Sequence, residues 1–190
     1  MKARPNVESR CCHELRALRS RTALPPGWRS EAIDGRMVLS PPPEPGHELI
    51  ADSVVRCLYA VLPSRLVVLR DPVVLVQDGP CVLVPDLAVV PRDRAGGDPA
   101  ETGAHALLAA EIAVRGGTGS GRGAKLRAYA AADVPLHLRI DRYAPNGPTT
   151  TLFSEPAGEA YRESHAVPFG KPLDLPSPFD VTLETEAFPR

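Results

Sequence analysis

The sequence lacks any apolar run that approaches the ~20 residues of a membrane-spanning helix. Residues 1–24 also contain no apolar segment of the kind that forms the centre of a secretory signal peptide. Neither sign of charge is in excess, because the formal net charge is −1 at pH 7. The total charge therefore gives no reason to expect a nucleic acid or a membrane as partner. These absences predict a soluble, cytoplasmic protein that does not contact membranes.

Cysteine is scarce, and its spacing excludes the common cysteine-based sites. The four cysteines are Cys11, Cys12, Cys57 and Cys81, and no two of them form a CxxC pair. No combination of cysteine and histidine has the spacing of a zinc site. We therefore expect reduced thiols, as is usual in the cytosol.

Proline, by contrast, is abundant, and charge is unevenly distributed along the chain. There are 22 prolines among 190 residues, against a usual share of about 5%. Residues 1–30 hold seven Lys or Arg against two Glu, and residues 155–190 hold seven acids against three bases. This length suits one domain with tails. The predicted division is a basic, partly disordered arm (1–23), a folded domain (24–155), and a proline-rich acidic segment (156–190) that packs on or extends the domain.

Hydrophobic periodicity predicts a mixture of strands and helices. The Asp34-Gly35 pair in "GWRSEAIDGRMVLS" predicts a β-hairpin. Apolar residues at helical spacing predict a helix over residues 46–61, and "AKLRAYAAAD" predicts another, after a glycine-rich turn in "RGGTGSGRG". Strands are predicted in "LVVLR", "VVLVQ", "CVLVPDLAVV", "LLAAEIAV" and "LHLRID", the first three as an antiparallel meander. This order predicts an α/β fold with a mixed central sheet flanked by helices.

Two of the apolar strands each contain a single acid. Asp86 is the only charged residue in "VLVPDLAVV", and Glu111 is the only one in "LLAAEIAV". An isolated ionised carboxylate is costly in such surroundings, so each acid needs a cationic partner. If both face the same way, their oxygens suit a hard cation such as Mg²⁺. Together with these carboxylates, Lys125 on the next predicted helix provides the groups that phosphodiester hydrolysis requires. An ammonium can stabilise the attacking water and the negative charge that develops on the phosphate.

Structural roles are the alternatives for these residues. Asp86 can cap backbone amides in a Pro-Asp turn. Glu111 can form a buried pair with Arg139 on the neighbouring predicted strand. Lys125 and Tyr129 share a helix face at i and i+4, and that face can simply be solvated.

Several segments occur in an order that is typical of one protein family. They are "EAIDGRMVLSPPPEPGH", "VPDLAVVP", "AAEIAV", "AKLRAYAAADVP" and "LRID". Through them the chain resembles the Uma-two family of restriction-endonuclease-like proteins, within the PD-(D/E)xK nuclease superfamily. The similarity runs from about residue 24 to residue 141. It implies a restriction-endonuclease-like core, a Mg²⁺ or Mn²⁺ ion, and DNA as the substrate.

The resemblance also assigns site residues. The positions that match the family's acids, helix lysine and histidine are Glu31, Asp86, Glu111, Lys125 and His47. Asp86 and Glu111 would hold the metal, Glu31 would orient a ligand or water, and Lys125 would stabilise the attacking water. The structural alternatives are a salt bridge to Arg29 or Arg36 for Glu31 and a solvent contact at the helix start for His47.

Three positions depart from the nuclease pattern. Ala113 stands where an ordinary nuclease of this superfamily has a lysine, so Lys125 must serve instead. Val114 and Gly121 stand where the family tends to have a serine and an aspartate. The departures at Val114 and Gly121 favour a rival interpretation, a catalytically degenerate DNA- or protein-binding module of the same fold.

Two further interpretations concern a cofactor and assembly. Residues 116–125 follow a strand and open a helix, where phosphate-binding loops occur. They contain no Gly-Lys-Ser/Thr and no complete GxGxxG, and the chain shows too few βαβ repeats for a dinucleotide fold. We therefore favour the nuclease. Two cuts in a duplex need two sites, so analogy with double-strand nucleases admits a homodimer.

Overall fold

The computed structural model describes residue 14 and residues 17–19, 21–75, 82–97, 103–116 and 119–190. The predicted N-terminal arm lies largely outside the described residues, as do Cys11, Cys12 and Cys81. None of the helices in the described ranges has the length and apolar character needed to cross a membrane.

In the residues that the structure describes, strands alternate with two long α-helices. The strands are β1 (Arg29–Ile33), β2 (Arg36–Ser40), β3 (Leu66–Arg70), β4 (Val74–Leu75), β5 (Val82–Leu83), β6 (Leu87–Pro91), β7 (Leu108–Ile112), β8 (Leu136–Asp141), β9 (Thr149–Ala157), β10 (Ala160–Pro168), β11 (Leu173–Leu175) and β12 (Val181–Leu183). The helices are α1 (Pro45–Tyr59) and α2 (Gly119–Ala131), and a 3₁₀ turn covers Arg92–Arg94.

The strands form one large mixed sheet and two smaller sheets. The large sheet has six strands in the order β10-β9-β8-β7-β6-β3. Strands β7 and β8 are parallel and are connected through α2, whereas the other pairs of this sheet are antiparallel. A four-stranded sheet has the order β2-β1-β5-β4, and β11 pairs with β12. The structure thus confirms the α/β class, the mixed central sheet and the N-terminal hairpin.

Successive side chains of the central strands point to opposite faces of the large sheet, and each face carries a hydrophobic core. In β6, Leu87 and Val89 belong to the core that packs α1, and Ala88 and Val90 belong to the core that packs α2. In β7 the residues on the α2 face are Ala109 and, two positions on, Glu111. Strand alternation therefore turns the Glu111 carboxylate toward helix α2.

Two predicted elements are confirmed with small shifts at their ends. Residues 45–59 form the helix that was predicted over 46–61, with Pro45 at its first turn. The hairpin turns at Asp34 and Gly35, whose φ angles of 47° and 73° lie in the left-handed region. Such angles suit the tight turns that connect antiparallel strands, which explains why this dipeptide was a strong signal.

The predicted meander and the predicted single strand over residues 82–90 are wrong. The chain breaks after Leu83, so that β5 joins the small sheet and β6 joins the large one. Consequently β3 pairs with β6, and β4 pairs with β5. Asp86 occupies the bend at this break, one residue before β6, and its carboxylate accepts a hydrogen bond from the backbone of β7. The two halves of one apolar segment thus belong to different sheets. This depends on tertiary contacts, which the apolar pattern of the segment does not indicate.

Helix α2 begins earlier than the glycine content predicted. Its first residues, 119–123, contain three glycines that we expected to form a turn. Glycine weakens a helix by about 1 kcal/mol per position relative to alanine. Packing of the later turns against the sheet, through the buried Ala124, Ala128 and Tyr129, outweighs that cost.

The C-terminal residues share the core of the large sheet. Strand β10 forms one edge of that sheet. Six apolar residues beyond it are buried in the α1-side core: Phe169, Leu173, Leu175, Phe179, Leu183 and Phe188.

Candidate active site

Lys125 lies between two carboxylates. Its Nζ is 2.8 Å from Glu111 Oε2 and 2.8 Å from Glu31 Oε2. The other oxygen of Glu111 accepts a hydrogen bond of 2.7 Å from the hydroxyl of Tyr129. Helical spacing sets this arrangement, because Lys125 and Tyr129 are four residues apart on α2 and both face β7. The predicted shared face is thus directed at Glu111 and not at solvent.

Glu31 reaches the cluster from the small sheet. It lies on β1, and its Oε1 accepts a hydrogen bond of 2.8 Å from the backbone N–H of Val84. This bond satisfies a backbone donor in the segment between β5 and β6, where the ladder is interrupted. Glu31 therefore links the hairpin both to the bend that carries Asp86 and to the lysine on α2.

Asp86 is almost completely buried, with a side chain that is 4% exposed. Its Oδ1 accepts a hydrogen bond of 2.6 Å from Arg29 Nη1, and its Oδ2 accepts one of 2.7 Å from the backbone N–H of Ile112. Arg29 also bonds Asp71. The carboxylate thus caps a backbone amide, as one sequence interpretation held, but the amide belongs to the distant strand β7.

His47 lies against the same carboxylate. Its Nε2 is 3.0 Å from Asp86 Oδ1, and the side chain is 4% exposed. Neither ring nitrogen forms an aligned hydrogen bond with any part of the chain that the structure describes. The contact nevertheless contributes to lowering the pKa of Asp86. Because the histidine is buried beside Asp86, the predicted solvent contact at the helix start is wrong.

Burial and the repulsion between neighbouring carboxylates shift the pKa values of the clustered side chains. Burial, together with the negative charges of Glu31 and Asp86, raises the pKa of Glu111 to about 7, although Lys125 opposes this. Burial acts to lower the pKa of Lys125, but the two carboxylates outweigh it, and the net pKa is raised. Lys125 is consequently charged at neutral pH, whereas the pKa of Glu111 lies well above that of an exposed carboxyl.

Asp86 shows the opposite balance from Glu111. Burial acts to raise the pKa of Asp86, but His47, Arg29 and the Ile112 amide lower it below the usual value. Two carboxyls on one site therefore differ in protonation near neutral pH. Such a separation of pKa values is typical of functional sites.

These groups line one cavity with a volume of about 160 Å³. The charged side chains in its wall are Arg29, Glu31, Asp86, Glu111, Arg122, Lys125 and Arg139. Val114 and Gly121, the two positions that depart from the family pattern, also line it. The structure thus brings Glu31, Asp86, Glu111 and Lys125 together, with His47 behind Asp86.

The carboxylates that line the cavity are chemically suited to bind a hard divalent cation. Asp86 and Glu111 both line it with their carboxylates, and carboxylate oxygens are ligands that Mg²⁺ prefers. Each of these oxygens already accepts one hydrogen bond and retains a second lone pair. Among the described residues, no three His, Cys, Asp or Glu side chains are grouped as metal ligands. A bound cation would therefore rely on two protein carboxylates and on water.

Two contacts of the site were missed or misassigned from the sequence. Arg29, the partner of Asp86, is 57 residues away in the chain and was considered only as a partner of Glu31. Arg139, the suggested structural partner of Glu111, lies beside it in the parallel register, but its guanidinium packs over the ring of Phe153 at 5.0 Å. The sequence feature that could have identified Arg29 is its position two residues before Glu31 on β1. Residues two apart on a strand lie on the same face of the sheet.

Comparisons with known proteins agree with this architecture. The chain is similar to a solved structure described as a "putative nuclease belonging to DUF820 from Anabaena variabilis ATCC 29413", with a TM-score of 0.64 and 16% identity over 85% of this chain and 88% of that one. At this identity the likeness shows the fold alone. No curated protein matches the chain significantly. The model of the Uma2 family, described as "Putative restriction endonuclease", matches residues 13–186. The chain therefore belongs to the Uma2 family.

Proposed function

We propose that this protein is a Mg²⁺- or Mn²⁺-dependent endonuclease that hydrolyses DNA phosphodiester bonds. The observation that carries the proposal is the position of Lys125 Nζ, which is 2.8 Å from Glu31 and 2.8 Å from Glu111 in a cavity that Asp86 also lines. Membership of a family described as restriction endonucleases supports DNA as the substrate. A DNA substrate agrees with the cytoplasmic location expected from the sequence.

Asp86 and Glu111 would hold the cation. When bound, such an ion polarises a phosphoryl oxygen and lowers the pKa of a coordinated water. Tyr129 fixes the orientation of Glu111 through its hydroxyl, and the Ile112 amide fixes that of Asp86. Both oxygens that face the cavity are therefore positioned before substrate arrives, which is the condition for electrostatic preorganisation.

Lys125 is placed to act on the attacking water and on the phosphate. An ammonium has three N–H donors, and two of them are directed at Glu31 and Glu111. The third is available to the attacking water or to a non-bridging oxygen as negative charge develops on phosphorus. Glu31 would keep the lysine charged and oriented, and His47 would hold Asp86 in place.

A cleavage assay tests this proposal. Supercoiled plasmid incubated with Mg²⁺ or Mn²⁺ should be nicked by the wild type, and EDTA should abolish the reaction. Lys125→Ala should reduce the rate roughly 100- to 1,000-fold, the usual effect of removing one charge-stabilising donor. The exposed Lys171 offers a matched control, because Lys171→Ala alters an equal charge outside the cavity.

The rival is a module of the same fold that binds DNA or protein without turnover. The apolar Val114 and the side-chain-free Gly121 in the cavity wall favour it, because they remove polar support from the site. Saturable DNA binding by wild type, with no cleavage under either metal, would replace the nuclease with this rival. Hydrolysis of both strands of a duplex would need two sites, so the nuclease proposal extends to a homodimer, which sedimentation analysis can test.

A further inference from the structure

Four cationic side chains line the cavity, and three of them hold carboxylates. Arg29 is paired with Asp86, Lys125 with Glu31 and Glu111, and Arg122 with Asp141 at 2.7 Å. The fourth is Arg139, on β8. In the described part of the chain no carboxylate lies within ion-pair distance of Arg139, whose one recorded contact is the Phe153 ring.

This arrangement is not what a purely structural arginine requires. Arg139 is partly buried, and burial, together with the positive charge of Arg122, lowers the pKa of its guanidinium although Asp141 opposes this. Its neighbour in register, Glu111, already accepts hydrogen bonds from Lys125 and Tyr129. Asp141 offsets only part of the cost of burying this cation, because it forms no ion pair with Arg139, and binding of an anion would relieve the remainder.

Among the described residues, no hydrogen-bond acceptor takes up the N–H groups of the Arg139 guanidinium. The guanidinium carbon lies 5.0 Å from the centroid of the Phe153 ring. A guanidinium donates its five N–H bonds in a planar fork that matches two oxygens of a phosphate. Phe153 in turn stacks on the buried His137, with ring centroids 5.7 Å apart.

We infer that Arg139 is a substrate-binding residue that donates two hydrogen bonds to a backbone phosphate of the nucleic acid in the cavity. The inference rests on the proposed function, since it concerns the same cavity. Arg139 would hold the strand beside Glu111, and so orient the phosphodiester toward Lys125.

Metal-free binding measurements test this inference separately from catalysis. The probe is a fluorescently labelled DNA duplex, titrated in EDTA with wild type and with Arg139→Gln, and the affinity is followed from about 50 to 200 mM salt. Arg139→Gln should weaken binding roughly 10- to 100-fold, the effect of losing charge-assisted hydrogen bonds. The slope of log K against log salt should fall by about 0.9, the value for one phosphate contact.

Two further variants separate binding from folding. Arg139→Lys keeps the charge, so the salt slope should be retained while the affinity falls between those of wild type and Arg139→Gln. The control is Arg56→Gln on α1, on the other side of the sheet, where an exposed arginine pairs with Asp52. It should leave affinity and slope unchanged. A purely structural Arg139 would lower the unfolding midpoint without changing the salt slope.

The outcomes distinguish this inference from the proposed function. An unchanged affinity and slope in Arg139→Gln, or an equal loss in Arg56→Gln, would overturn the role of Arg139 even if the wild type cleaves DNA. Arg139-dependent duplex binding without any cleavage would sustain the inference and overturn the nuclease. A wild type that binds neither the duplex nor inorganic phosphate would overturn the inference.

Discussion

At the scale of single residues, Lys125 is the group on which the site depends. It is largely buried between Glu31 and Glu111, so its removal would leave two carboxylates facing each other without a counter-charge. Lys125→Met should therefore destabilise the protein by about 3 kcal/mol, as measured by urea unfolding at neutral pH. Lys171→Met, at an exposed position, should change stability by less than about 0.5 kcal/mol.

A double-mutant cycle sharpens this prediction. In a Glu31→Gln background, Lys125→Met should cost clearly less, because one of the two uncompensated charges is already absent. Equal costs in the two backgrounds would mean that Lys125 and Glu31 do not interact in solution.

His137 gives a prediction about pH. It is fully buried, stacks on Tyr129, and burial lowers its pKa to about 3. As the pH falls below about 6.5 the unfolded chain binds a proton at this residue and the folded chain does not, so stability decreases. Between about pH 7.5 and pH 5, wild type should lose about 2 kcal/mol more than His137→Phe. Urea unfolding at the two pH values measures the difference.

The exposed His165 provides the control for that experiment. His165→Gln should show the same pH dependence as wild type, because this side chain is exposed and lies outside the core. If His137→Phe followed the wild-type profile as well, His137 would be protonated in the folded protein.

The sequence indicated some of these residues and not others, for physical reasons. Glu111 could be singled out because one acid in an apolar strand is costly and demands a partner. Tyr129 could be grouped with Lys125 through helical spacing alone. Arg29 could not be joined to Asp86, because their contact spans 57 residues and depends on how two sheets meet.

At the scale of elements, the β1–β2 hairpin matters because β1 carries both Arg29 and Glu31. Its turn places Gly35 at a φ of 73°, where a Cβ is disfavoured. Gly35→Ala should therefore cost about 1 kcal/mol in unfolding free energy. Gly97→Ala is a matched control, since among the described residues an added Cβ there would meet only the Arg94 carbonyl oxygen at 3.9 Å. An equal effect of the two substitutions on the thermal midpoint would contradict this account of the turn.

The break between β5 and β6 marks the limit of prediction at this scale. The run from Val82 to Val90 is apolar enough to form one strand, and Pro85 and Asp86 were the only signs of an interruption. The actual break depends on bonds from outside the run, namely those of Asp86 to Ile112 and Arg29. A local pattern contains no information about these distant partners.

At the scale of the whole molecule, the C-terminal residues help to close the core beneath α1. Leu183 is 1% exposed and packs in the same cluster as residues of β6 and β7. Leu183→Ala should cost about 3 kcal/mol through lost burial and a residual cavity. Leu49, 60% exposed on α1, is the matched control, and Leu49→Ala should have little effect. Similar losses in the two variants, by urea unfolding, would mean that the C-terminal segment is not integral to the domain.

The central claim, that the carboxylates of this cavity hold a divalent cation, is tested most directly by calorimetric titration of the folded protein with Mn²⁺. Wild type should bind saturably, and both Asp86→Asn and Glu111→Gln should abolish or strongly weaken the binding. Glu163→Gln, which removes an exposed acid on β10, should bind as wild type does. If the folded wild type bound no Mn²⁺, or if the two cavity variants bound it as well as wild type, the acids would be structural and the metal-dependent nuclease would be contradicted.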